Sequence, residues 1–305
     1  MPSREQCLKA LDTYKGAVLE AAHSLGLSRH QFRRILKNLN MKTSNGFSYE
    51  KWRNRGTTQI EINKGLVIRA PDNFDLFKSS DWHAGSESCY YQGLKEMVDA
   101  IHDDKRARGI FGGDQMEITP PGRHDGGRNS DSFIDGQLIR TGKALEPIKE
   151  KIDLIYGGNH GKPRLTSVGI DPDLLLASSL GVAYSPVPTV VRYVMPSGIL
   201  KVCGGHGKNA SQDSLRELRR LREIYPNCDI YHLGHDHSLF AEPDGAMEYD
   251  ENGDEFWSPA WMCRTGSFLR YGDYARYGLM RPKPTGYLIA HIRKAKVASI
   301  EVVKV

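Results

Sequence analysis

Apolar and polar positions alternate in short bursts along most of this chain, and each burst reads as a strand. Such bursts fall at Leu66–Arg69, 74–79, 110–111, Ile152–Tyr156, 199–202 and Ile230–Leu233. Between them the period lengthens. From about Ser88 onwards, Leu94, Met97, Val98 and Ile101 recur at i, i+3, i+4 and i+7, which predicts a helix. Residues 211–224 predict another, with Arg216, Arg219, Arg220, Arg222, Glu217 and Glu223 on a solvated, salt-bridged outer face. Asn252-Gly253 predicts a hairpin turn, and the runs at 287–292 and 297–303 predict closing strands. Strands interleaved with helices specify a layered α/β body over residues 66–305.

The first 40 residues follow a different rule. Three short helical patterns succeed one another, at 4–14, 17–25 and from Ser28 on, with Gly26 permitting a tight turn before the third. In that third pattern Phe32, Ile35, Leu36 and Leu39 form an apolar face, and Arg29, Arg33 and Lys37 recur opposite it. Residues 41–65 read as a basic linker.

Composition changes this picture in two ways. The 305 residues are 39% hydrophobic, enough for one large core, and no apolar run approaches a membrane span. Five scattered cysteines without a C-x-x-C pair, and an N-terminus without signal-peptide layout, are what a cytoplasmic protein with reduced thiols would show. The net charge of +5 is uneven: residues 1–65 hold twelve Lys/Arg against five Asp/Glu, and the rest is slightly acidic. A basic excess gathered at one end predicts a polyanion contact there, DNA being the expected partner.

Candidate chemistry gathers at the strand ends. Five successive strands run into glycine or small residues and then a ligand-type side chain. The endings are S-D-W-H (Asp81, His83), G-G-D (Asp114), G-G-N-H-G (Asn159, His160), C-G-G-H-G (His206) and G-H-D-H (His235, His237). Carboxylate, amide and imidazole donors at the ends of rigid strands suit divalent transition metals, and seven donors suit a two-metal site. Any one ending could be a simple turn; five in order point to a site.

Two stretches resemble known families. The run A-A-x-x-L-G-L-S-R-x-x-F-R-R-x-L-K at 21–37 resembles the Fis-type helix-turn-helix, which implies that Arg29, His30, Arg33, Arg34 and Lys37 face DNA. The alternative is a helical docking unit. The ordered set D-x-H, G-D, G-N-H, G-H and G-H-x-H resembles the calcineurin-like metallophosphoesterase superfamily. That resemblance implies Asp81, His83 and His237 on one metal, Asn159, His206 and His235 on a second, and Asp114 bridging. It implies His160 as the catalytic histidine beside Asn159. Two divalent ions are expected, manganese foremost with iron or zinc as alternatives. One departure stands out: Gly161 occupies a position where many members carry an acid, and Lys162 and Arg164 follow, expected to grip an anionic substrate. The stretch 115–136, with Arg123, reads as a surface loop or a phosphate-gripping lip.

The expected architecture is therefore a four-layer α/β/β/α metallophosphoesterase sandwich (66–305), joined by the linker (41–65) to a small all-α helix-turn-helix unit (1–40). The expected function is a dimetal phosphoester hydrolase, a DNA-directed phosphodiesterase or nuclease using a metal-bridging hydroxide for in-line attack. The alternatives are a phosphomonoesterase with a docking unit, or a DNA-binding protein with a silent metal site.

Overall fold

The computed structural model describes residues 2, 6, 9, 10, 13, 22–27, 31, 32, 65–118, 133–161, 165, 169–208, 213–249, 252–272 and 281–305. The chain divides into two compact units, Met1–Arg55 and Gly56–Val305. In the first, Ala22 and Phe32 are buried, and Gly26 turns the chain at φ +66°. Its predicted basic residues, Arg29, His30, Arg33, Arg34 and Lys37, lie outside the described residues.

The second unit is built on two six-stranded mixed sheets. One contains β2 (Asn73–Ser79), β3 (Ala107–Phe111), β4 (Ile152–Tyr156), β5 (Tyr184–Ser185), β11 (Gly286–Arg293) and β12 (Lys296–Lys304), in the order β12-β11-β2-β3-β4-β5. The other contains β1 (Leu66–Arg69), β6 (Thr189–Met195), β7 (Gly198–Gly205), β8 (Ile230–Leu233), β9 (Leu239–Tyr249) and β10 (Glu255–Thr265), in the order β1-β6-β7-β8-β10-β9. Strands β2, β3 and β4 run parallel, as do β7 and β8, so within each sheet the ligand-bearing ends fall on one edge. Open α/β sheets place their sites at such carboxyl ends.

Alternation along β2 sets the layers. Phe74 and Leu76 face one way and pack with Val191, Tyr193, Val202 and Ile230 of the other sheet, forming the core between the sheets. Phe77 faces the opposite way, in a second core with Met97, Ile101, Leu145 and Leu176. These come from α1 (Tyr91–Asp103), α2 (Ile134–Leu145) and α3 (Pro172–Leu180), which cover that sheet's outer face. Met97 and Ile101 lie one helical turn apart and carry the buried stripe of α1. On the other outer face, α4 (Ser214–Ile224) buries Leu218 and Leu221 against Cys203, Tyr231 and Met262. Asp171 and Asp213 cap α3 and α4 by accepting from backbone N–H groups of the first turn. The result is a four-layer α/β/β/α sandwich. Among the described residues no helix is long and apolar enough to cross a membrane.

Two expectations are corrected. The stretch after Asp114 does not begin as a surface loop. Gln115, Met116 and Ile118 are almost fully buried, and Asp135 and Gly136 already belong to α2; residues 119–132 lie outside the described residues. Glu217 does not belong to a purely solvated helix face either. It pairs with the buried Arg264 at 3.4 Å and accepts from the Lys208 backbone N–H at 2.8 Å.

The inter-sheet core carries one costly group. Lys78 continues the inward face of β2, is fully buried, and its Nζ makes no hydrogen bond among the described residues. Burial pushes this ammonium down to about 8. The folded value lies below the ordinary 10.5, so stability contributed by the neutral form rises with pH between about 8 and 10.5 and is missing below. Lys78→Met is therefore expected to raise unfolding free energy at pH 7 by up to about 3 kcal/mol. Urea denaturation at pH 7 and pH 10 should show the gap shrinking at the higher pH; an equal gap at both would refute a buried charge.

Candidate metal centre

The end of β2 turns sharply. Asp81 and His83 have φ of 52° and 50°, Asp114 after β3 has 52°, and His235 and His237 after β8 have 71° and 59°. Left-handed backbone is strained for residues other than glycine, and five such residues at one edge mark a place where geometry overrides local preference.

Glycines let the loops meet. A Cβ on Gly158 would stand 2.0 Å from Asp114 Oδ1, and one on Gly234 would stand 2.6 Å from Asp81 Oδ2. Both positions must be bare for the carboxylates to lie against neighbouring backbone. The Asp114 carboxylate then accepts from His160 N–H at 2.8 Å through Oδ1, and the Asp81 carboxylate from His235 N–H at 2.8 Å through Oδ2. Ser80 Oγ also donates to Asp81 Oδ2, at 2.5 Å.

The free edges of these groups converge. Asp81 Oδ1 lies 3.4 Å from His237 Nε2 and 3.9 Å from both His83 Nε2 and His206 Nε2. Asp114 Oδ2 lies 3.1 Å from His206 Nε2. The Asn159 side-chain oxygen lies 2.7 Å from His206 Nε2 and 2.8 Å from His235 Nδ1. Three donor sets result, Asp81 with His83 and His237, Asp114 with His206 and His235, and His83 with Glu117 and His160, each with its ligand atoms within 4.8 Å of one another. All seven expected ligands, and His160 beside them, are thus brought together. Lys162, Arg164 and Arg123 lie outside the described residues.

Tautomers favour metal binding. His206 Nδ1 faces the Gly112 carbonyl at 2.8 Å, and His83 Nδ1 faces the Glu117 carboxylate at 2.9 Å. Each Nδ1 carries the proton for that bond, so Nε2 is the nitrogen that faces the site, where a cation would take the place of any second proton. Asp81 Oδ1 and His83 Nε2 are buried with no hydrogen bond among the described residues. Buried orphan acceptors of this kind fit a divalent cation, and the mixed oxygen and nitrogen donors suit a transition metal.

Electrostatics agrees with the geometry. Burial pushes the carboxyls of Asp81 and Asp114 up, but the His206 imidazole, with His237 beside Asp81 and His160 beside Asp114, holds both well below the usual carboxylate range. Burial opposes charge on His206, yet Asp114 and Asp81 lift it to about 10. His235 moves the other way, lowered by burial and by the His206 charge.

Three contributors carry no signal in the strand-end pattern. Glu117 holds His83 through its carboxylate, and its backbone carbonyl accepts from His160 Nδ1 at 2.8 Å. It supplies an acid near His160 despite Gly161, and the M-E-I alternation at 116–118 is the only sequence hint of its burial. Arg264, fully buried, donates to the Gly234 carbonyl at 2.8 Å and to the Ser214 carbonyl at 2.9 Å, bracing the G-H-D-H loop. Asp173 accepts from Gly158 N–H at 2.9 Å, and burial pushes its carboxyl up to about 7.

No protein-family model matches the chain, and no curated protein matches it by sequence. Solved structures resemble it only distantly. Vps29 from Entamoeba histolytica complexed with zinc shares 12% identity at a TM-score of 0.41, over 76% of this chain and 98% of that one. Vps29 from Cryptosporidium parvum shares 16% at 0.41, over 76% and 99%. A predicted phosphoesterase from Streptococcus pneumoniae shares 13% at 0.34, over 76% and 98%. Likeness at this level says nothing of what this chain binds or hydrolyses.

Removing the Glu117 carboxylate should free the His83 ring. Glu117→Ala is expected to weaken Mn²⁺ binding about 10- to 100-fold in a calorimetric titration. An unchanged affinity would mean that Glu117 does not orient a ligand.

Proposed function

We propose that this chain is a phosphoester hydrolase working with two divalent cations, manganese foremost, and that its substrate is DNA. The observation that carries the reading is the pair of Asp/His donor sets on one buried floor with His160 at its rim. Asp81, His83 and His237 would hold one cation, Asn159, His206 and His235 the other, and Asp114 would lie between them. When bound, two such cations neutralise phosphate oxygens and make water acidic enough to attack phosphorus near neutral pH.

His160 supplies what remains, a proton for the leaving oxygen. Its Nδ1 is committed to the Glu117 carbonyl, so Nε2, 4.0 Å from Asp114 Oδ2, is the atom that would carry that proton. The ring packs edge-on against His83 with centroids 4.5 Å apart, which limits its rotation. Asn159 aligns His206 and His235 through one amide oxygen. Substrate delivery would fall to the basic N-terminal stretch, with Arg29, His30, Arg33, Arg34 and Lys37 as its phosphate or groove contacts, and Lys162, Arg164 and Arg123 as further grips on an anionic substrate. Cys203, Cys228 and Cys263 are free thiols, which supports a cytoplasmic setting.

Purified full-length protein with Mn²⁺ is expected to degrade linear single- or double-stranded DNA, and not after chelation. Intact DNA beside a hydrolysed phosphomonoester would replace the nuclease by a phosphatase; no hydrolysis of either would leave a silent metal site. Asp114→Asn and His206→Ala should lose metal and turnover together. His160→Ala should keep its metal content by atomic absorption while losing about 10²- to 10⁴-fold in rate on esters with poor leaving groups. Metal lost from that variant would make His160 a ligand instead.

A further inference from the structure

We infer that Asp173 is a positioning residue for His160, acting from α3 in the space that a side chain at position 161 would otherwise fill. The inference rests on the hydrolase reading above and adds a residue to it. The backbone N–H groups of the Gly157–Gly161 turn make three described hydrogen bonds. Gly157 N–H donates to the Ser185 carbonyl at 2.9 Å, Gly158 N–H to Asp173 Oδ2 at 2.9 Å, and His160 N–H to Asp114 Oδ1 at 2.8 Å. Asp114 is committed to the metal floor and Ser185 to its strand. Asp173 is the member whose side chain reaches the turn from outside the floor.

Position 161 supplies the second observation. Gly161 is not among the glycines with positive φ, so its backbone would accept an ordinary side chain. What forbids one is Asp173: a Cβ at 161 would stand 2.2 Å from Asp173 Oδ2 and 3.0 Å from its carboxyl carbon. Glycine at 161 leaves that carboxylate its room. Asp173 itself is 1% exposed and rooted at the start of α3, where Asp171 caps the helix and takes a hydrogen bond from Tyr184 Oη at 2.8 Å. A carboxylate so placed fixes the peptide ahead of Asn159 and the residue behind His160 together. The ring between them is thereby held with Nε2 toward the leaving group.

Such coupling predicts that two harmful changes cancel. Full-length Asp173→Ala, Gly161→Asp and the double variant would be assayed with Mn²⁺ on a p-nitrophenyl diester and on a phenyl diester, whose leaving group needs a proton. Asp173→Ala should lose about 10- to 100-fold in kcat on the phenyl ester and little on the p-nitrophenyl ester, with KM and bound metal unchanged. Gly161→Asp should also lose activity, because two carboxylates then compete for one space. The double variant, carrying one carboxylate from the other side, should return to within about threefold of the wild type on the phenyl ester.

Equal losses on both esters, or a double variant no better than Asp173→Ala, would overturn the inference. A readout independent of turnover separates it from the hydrolase reading. The His160 Nδ1 proton, bonded to the Glu117 carbonyl, should give a downfield NMR signal that disappears in Asp173→Ala and returns in the double variant. Its persistence in Asp173→Ala would refute positioning. A wild type that shows this pattern yet cleaves neither ester would sink only the hydrolase reading.

Discussion

Two carboxylates, Asp81 and Asp114, are buried side by side and both kept ionised, and most of the surrounding design answers to that constraint. A carboxylate taken out of water must be matched by opposite charge or by hydrogen-bond donors, and two together demand more than either strand could supply. The donors come from everywhere: backbone N–H groups of His160 and His235, the Ser80 hydroxyl, and the ring of His206. Asp81 and Asp114 follow strands of one sheet, whereas His206, His235 and His237 follow strands of the other. The polar floor therefore fastens the two sheets at the edge where the hydrophobic core between them ends.

The strand ends were legible because their chemistry is local. Glycine followed by Asp, Asn or His at the end of an apolar run needs no knowledge of the fold, and β4 and β8 fall on the residues their patterns predict, Ile152–Tyr156 and Ile230–Leu233. The layering followed from the alternation of strands and helices. Less was legible where a residue's role depends on a distant partner. Glu117 sat in a stretch rich in glycine and charge further on, and only the packing of Met116 and Ile118 turns it inward. Asp173 looks like a helix-start acid, and its contact with Gly158 crosses fifteen residues of chain. Arg264 follows an apolar run, and nothing nearby in sequence announces the carbonyls of Gly234 and Ser214 that it bonds. Strand β6 was missed because Pro186 and Pro188 precede it and mask a run that reads cleanly from Thr189.

Lys78 shows the opposite case, a side chain that local pattern and global packing treat differently. It continues the inward face of β2, where Phe74 and Leu76 are buried, and brings an ammonium where hydrocarbon would serve. His232 lies in the same core, also fully buried and with neither ring nitrogen bonded among the described residues. Burial and the nearby Lys78 charge keep it neutral. Stability is thus lost in the layer directly under the site, where no described hydrogen bond offsets the burial of either group.

The left-handed backbone at Asp81, His83, Asp114, His235 and His237 also bears on how this centre could drift between metals. Asp and His tolerate that conformation several-fold better than most residues. Evolution tunes metal preference largely by exchanging ligand types, softer sulfur for copper or zinc and longer carboxylates for harder ions. Here an exchange to Cys or Glu would have to satisfy the turn as well as the ion. The backbone thereby narrows the range of donor side chains these five positions accept.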